Sequence, residues 1–173
     1  MPPTDPEMPR VRIYFAGPLF TQAERAWNRD LAARIGAGGH AVFLPQTEVQ
    51  AIATLHADAI FRVDVDGVRS AEALVAILDG ADPDSGTCFE CGLAYALGVP
   101  IVAVRTDFRG GGDALPGQHL ATINLMLSQA AAAIVNRPDP AATPEELAAA
   151  ILEALTSLGG PRPRVDRLAP PTP

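Results

Sequence analysis

A chain of 173 residues with a formal charge of −7, and with arginine as its only strongly basic residue type, excludes several chemistries at once. Without lysine there is no Schiff base and no phosphate-gripping P-loop lysine, and without a clustered basic face there is no nucleic-acid surface. No run approaches the roughly 18 apolar residues of a membrane span, and residues 1–10 read as a polar, Pro-rich disordered arm rather than a signal peptide, so a cytoplasmic protein acting on a small or uncharged molecule is expected.

In chain order, Val11 to Ala16 reads as a buried strand closed by Gly17-Pro18, and Thr21 to Ile35 as an amphipathic helix ending in glycines. Ala41 to Leu44 is a second strand, stopped by Pro45. A helix covers about Ala57 to Ser70, followed by a strand over 73–78 and a helix over 86–97 ended by Gly98. Pro100 to Val104 is a strand, 106–122 a Gly-rich loop and Ala131 to Val135 a last strand. Thr143-Pro144-Glu145-Glu146 places an N-cap residue, a first-turn proline and two acids at the start of a helix running to about Leu158. Strands alternating with helices predict an α/β fold, a doubly wound five-stranded parallel sheet in the flavodoxin-like order 2-1-3-4-5 with helices on both faces. One domain is expected over 11–158, with a Pro-rich disordered tail over 159–173.

Glu90 is the polar residue most out of place. It stands in an otherwise apolar helix that opens after the Asp79–Asp84 loop, at the carboxyl edge of a strand, where open α/β sheets keep their sites. Placed in the first turn, it is expected to feel the helix dipole and to be ionised at neutral pH, as a nucleophile at a sugar carbon must be. On the 57–70 helix, Asp64 shares a face with Ile60, Phe61 and Val68 and points inward unless the helix is frayed, whereas Asp66 falls on the polar face as a partner for Arg62. Asp84 either caps the 86–97 helix or reaches into the cleft. Tyr14 is simple core, or else a phenol over the same sheet edge as Glu90. Asn124, in an apolar run, reads as a satisfied buried amide. Asp79, Asp82 and Asp84 are a magnesium cluster or ordinary turn chemistry, the latter being favoured, so no metal is assigned. Cys88 and Cys91 form a C-x-x-C, read as small core residues rather than a redox pair. The three histidines are scattered and supply no zinc set.

Together, Ile13-Tyr14-Phe15-Ala16-Gly17-Pro18, Asp84-Ser-Gly-Thr-Cys-Phe-Glu90-Cys-Gly and Asn124-Leu-Met126-Leu resemble the motifs of the nucleoside 2-deoxyribosyltransferase family, in order, over about residues 11 to 157. The resemblance implies that Glu90 attacks C1′, expels the base and forms a covalent deoxyribosyl-enzyme that a second base or water reopens, two inversions giving net retention. It also implies that Tyr14 orients Glu90 and that Asp64 protonates the departing base. Asp84 would bind the sugar hydroxyls, with Gly17 and Gly86 also on the substrate side. Asn124 would reach in from a neighbouring subunit with Met126 nearby, so a homo-oligomer with shared sites is implied. Partners are nucleosides and free nucleobases, with no cofactor, nucleic acid or membrane. Some members place an aromatic C-terminal carboxylate in the partner's base pocket; this chain ends Ala169-Pro-Pro-Thr-Pro173, so its base selection is expected to differ. The competing expectations are an N-glycoside hydrolase acting on nucleosides or their 5′-monophosphates, and a nucleoside-binding module without turnover. Relatives that accept monophosphates tend to carry serine at the position of Asp84, where a carboxylate repels phosphate.

Overall fold

In a computed structural model, residues 10–51, 56–107 and 122–158 are described. Five parallel strands lie in the order β2-β1-β3-β4-β5: β1 (Arg12–Ala16), β2 (Ala41–Phe43), β3 (Ala73–Ile77), β4 (Ile101–Arg105) and β5 (Ala133–Asn136). This is the predicted flavodoxin-like order. Every residue of β3 and β4 is buried, as continuous apolar runs in the middle of a two-sided parallel sheet must be.

Side-chain alternation along the strands sends two sets of residues into two cores. Ile13, Phe15, Val75, Ile77, Val102 and Val104 pack with Leu31, Ile35, Leu147 and Ile151, which belong to α1 (Gln22–Ala37) and, further along, the C-terminal helix Pro144–Ser157. Tyr14, Ala16, Leu74, Ala76, Ile101 and Ala103 face the other way and pack with Val68, Cys91 and Ala94. Between these chain positions lie α2 (Pro45–Glu48) with a 3-10 turn at Val49–Ala51, α3 (Ala57–Ser70), α4 (Ser85–Leu97) and α5 (Leu125–Ala130), and the Pro144–Ser157 helix is α6. The strand order reverses between β1 and β3, so the crevice of a doubly wound sheet opens at their carboxyl ends.

The helix ends follow their local chemistry. Thr21 with Glu24, and Thr143 with Glu146, close reciprocal capping boxes, each worth about 1 kcal/mol. Gly98 ends α4 in the left-handed region at φ 72°, which glycine adopts without steric cost.

Several expectations are corrected. Pro45 does not merely stop β2: it is the first residue of α2, where its missing N–H would be unpaired anyway. The run Leu125–Ala130 is helical, too short for its period to show in sequence. Arg62 pairs with Asp58 rather than Asp66, and Phe61 is 55% exposed rather than turned inward. Cys91 is buried, but Cys88 is only half-buried and no disulfide joins them. The predicted 159–173 tail, all of the 1–10 arm except Arg10, and positions 108–121 of the predicted loop lie outside the described residues.

Candidate active site

Asp84 resolves its alternatives by serving as cap and wall together. Its Oδ2 accepts from the Thr87 backbone N–H at 2.8 Å and from Thr87 Oγ1 at 3.1 Å, and the residue lines the adjoining cavity. A Cβ on Gly86 would stand 3.1 Å from that oxygen, so glycine leaves the capping carboxylate room. With α4 starting at Ser85, Glu90 falls in the second turn rather than the first.

That shift changes its chemistry, because the dipole effect fades within one turn. Burial is the largest influence on Glu90 and lifts it from an ordinary 4.5 to about 7; the Tyr14 hydrogen bond works downward, and the carboxylates of Asp64 and Asp84 add to the rise. The expectation of an ionised Glu90 is thus corrected: near neutrality it is about half protonated. The phenol of Tyr14, fully buried, donates to Glu90 Oε1 at 2.6 Å. Burial first, and the neighbouring Glu90 second, push its pKa well above the usual tyrosine range, so it remains a donor. Tyr14 is therefore both core and site.

A Glu90→Gln variant keeps an oxygen for the phenol and removes the buried titration. Since the folded protein holds this proton more tightly than the unfolded chain, wild type loses stability as pH rises from about 4.5 to about 7 and stays lowered above. Glu90→Gln is expected to be more stable than wild type at pH 8, approaching roughly 3 kcal/mol, with no gain at pH 4. Thermal unfolding of both proteins at the two pH values checks this; equal differences at both would show that Glu90 carries no buried titration.

Asp64, on α3, has its carboxyl raised by burial, and its Oδ1 is buried without a hydrogen-bond partner among the described residues. Asp64, Asp84, Gly17, Gly86 and Glu90 line one cavity of about 390 Å³. At Gly17 a Cβ would stand 3.3 Å from Ile77 Cβ, so the β1 exit hugs β3. On the outer side, a smaller space of about 270 Å³ between α3 and α4 also reaches Asp64, Gly86 and Glu90, beneath Phe61 and Phe89.

Sequence reading missed Phe20, Arg25 and Gln46 on the cavity wall. Gln46 is 5% exposed and its amide donates to the Arg25 carbonyl at 2.8 Å. Their one available signal was position, just past the carboxyl ends of β1 and β2.

Two groups of expected residues lie elsewhere. Asp79 accepts from the Thr106 N–H at 2.6 Å, from the Thr106 hydroxyl, and from the Asp107 N–H at 3.3 Å. It staples the end of β3 to that of β4, and among the described residues no group of three His, Cys, Asp or Glu is arranged to hold a metal ion. Asn124 is not a buried amide but the N-cap of α5, its Oδ1 accepting from the Met126 N–H at 2.9 Å. Asn124 and the exposed Met126 line a separate surface cavity of about 460 Å³ with Cys88, Cys91 and Tyr95. The fold therefore joins Glu90, Tyr14, Asp64, Asp84, Gly17 and Gly86, and leaves Asn124 and Met126 outside that group.

The chain is similar to known proteins in sequence and in fold. The family model for nucleoside 2-deoxyribosyltransferase matches residues 13–138. Among solved structures, a conserved protein from Enterococcus faecalis V583 is 30% identical with a TM-score of 0.64, over 84% of this chain and 99% of that one. The 2-desoxiribosyltransferase from Leishmania mexicana is 25% identical with a TM-score of 0.59, over 86% and 98%. The 2-deoxyribosyltransferase from Bacillus psychrosaccharolyticus, at 23% identity and a TM-score of 0.59 over 73% and 86%, shares the fold. No curated protein sequence matches the chain.

Proposed function

The chain belongs to the nucleoside 2-deoxyribosyltransferase family, and we propose that it exchanges the nucleobase of 2′-deoxynucleosides through a covalent intermediate on Glu90, with net retention at C1′. The observation that carries this reading is the Tyr14–Glu90 hydrogen bond of 2.6 Å at a cavity that also receives Asp64. A nucleophile must have one oxygen held and the other free to attack, and the phenol supplies that restraint. In its ionised form Glu90 attacks C1′ as the C1′–N bond breaks. Asp64, whose carboxyl burial pushes toward the protonated form, gives a proton to the departing base. A second base then attacks C1′, Glu90 leaves as carboxylate, and Asp64 recovers a proton from the incoming N–H. Asp84 accepts from a sugar hydroxyl.

Asn124 and Met126 lie on an exposed face with Tyr95 and Leu125, which are 66% and 39% exposed. In this reading they complete the site of a neighbouring copy in a homo-oligomer. No helix among the described residues is long and apolar enough to cross a membrane, and a cytoplasmic role in nucleotide salvage is part of the proposal.

A second reading, N-glycoside hydrolysis of nucleoside 5′-monophosphates, draws support from Arg25, a cation on the same wall as Asp84. The decisive experiment compares deoxyadenosine with its 5′-monophosphate, each with and without free hypoxanthine, following base exchange and the intact protein mass. Deoxyadenosine is expected to yield deoxyinosine and a deoxyribosyl adduct, and the monophosphate to react far more slowly, because it brings like charge to Asp84. Faster turnover of the monophosphate selects the hydrolase instead. Binding without turnover or adduct leaves a nucleoside-binding module.

A further inference from the structure

Helix α3 approaches the sheet more closely than any side chain at position 67 allows. Gly67 is buried in the helix, and a Cβ there would stand 2.8 Å from both Cε1 and Cζ of Phe43 and 2.9 Å from Cε2 of Tyr14, distances that real Cβ atoms do not adopt. Glycine inside a helix costs about 1 kcal/mol relative to alanine, so the position calls for a packing reason. The two rings it touches are register partners on adjacent strands and stack with centroids 5.2 Å apart at 16°. One of them carries the hydroxyl that is bonded to Glu90.

We propose that Gly67 is a positioning residue for Glu90: the bare backbone of α3 closes over the Tyr14–Phe43 stack and leaves the Tyr14 ring no orientation except the one that places its hydroxyl on Glu90. Tyr14 has no exposed surface into which to retreat, so an added methyl group swings the phenol off Glu90. The donor and its acceptor, otherwise held together, are then separated.

The consequence for base exchange rests on the transferase reading, but the contact does not, so the test reads the Glu90 proton without substrate. Glu90 is faced by Tyr14 from β1, Asp64 from α3, Asp84 from the start of α4 and Cys91 beside it, and Arg25 of α1 lines the same cavity. Carboxyl ¹³C NMR titration of Glu90 in the full chain is expected to show its midpoint rising by about one unit in Gly67→Ala, since a lost donor to the carboxylate favours the protonated form. Tyr14→Phe should rise equally, and the double variant no further. Adding Phe43→Leu to Gly67→Ala, which gives the Tyr14 ring room to tilt, should return the midpoint to wild type. A folded Gly67→Ala protein whose melting temperature falls while the Glu90 midpoint stays put would overturn the proposal. If Gly67→Ala does not fold, the Gly67→Ala/Phe43→Leu variant decides: folded with a wild-type midpoint it supports the proposal, and unfolded or displaced it refutes it.

Discussion

Glu90→Ala is expected to reduce base exchange by at least about 10⁴-fold, to near background, while the protein stays folded. Loss of the nucleophile in a covalent mechanism removes the step itself rather than a fraction of its rate, and such variants fall by many orders of magnitude. The fold survives because the carboxyl is a buried titrating group whose proton affinity is already strained by its surroundings, so its removal relieves a desolvation cost. Tyr14 then loses its acceptor, a smaller penalty that water entering the cavity offsets. Circular dichroism and a base-exchange assay on the same preparation check both halves. Retention of more than about a tenth of the wild-type rate is incompatible with a nucleophile and would remove Glu90 from the mechanism. In wild type the rate should climb with pH through about 7, as Glu90 ionises.

Asp64→Asn carries the second large effect, about 10²- to 10⁴-fold on turnover with little change in the Michaelis constant. The amide occupies almost the same space but cannot deliver a proton to the leaving base. A deoxynucleoside whose purine is already methylated at N7 carries its positive charge into the reaction and departs without protonation. With that substrate Asp64→Asn should match wild type. An equal loss on both substrates would make Asp64 a positioning or electrostatic residue, and a rise in the Michaelis constant alone would make it a binding residue.

How much of this was legible beforehand differs from residue to residue. Asp64 was recognisable because an acid on the apolar face of a helix violates the 3.6-residue period, and α3 runs over the predicted span, Ala57–Ser70. Glu90 was recognisable as an acid in an apolar helix at a strand's carboxyl edge. Its protonation state was misread, since one residue of helix start and the depth of burial outweigh the dipole argument. In sequence Asp79 read, with Asp82, as a loop acid of a magnesium cluster or of ordinary turn chemistry, Asp84 alone being set apart by its place at the helix start. Only the meeting of β3 and β4 shows that Asp79 is occupied by Thr106 and Asp107.

The amino-acid sequence by itself determined the alternation of strands and helices, the sheet order, the Thr143 cap and the resemblance carried by three motifs. These depend on local periodicity, on the conformational limits of Gly and Pro, and on neighbours within one turn. The tertiary structure alone decided that a phenol 76 residues away in the chain donates to Glu90, that Gly67 lies against Tyr14 and Phe43, and that Arg25 and Gln46 share the cavity wall. Desolvation and ring packing are through-space effects, summed over atoms that only the folded sheet brings together.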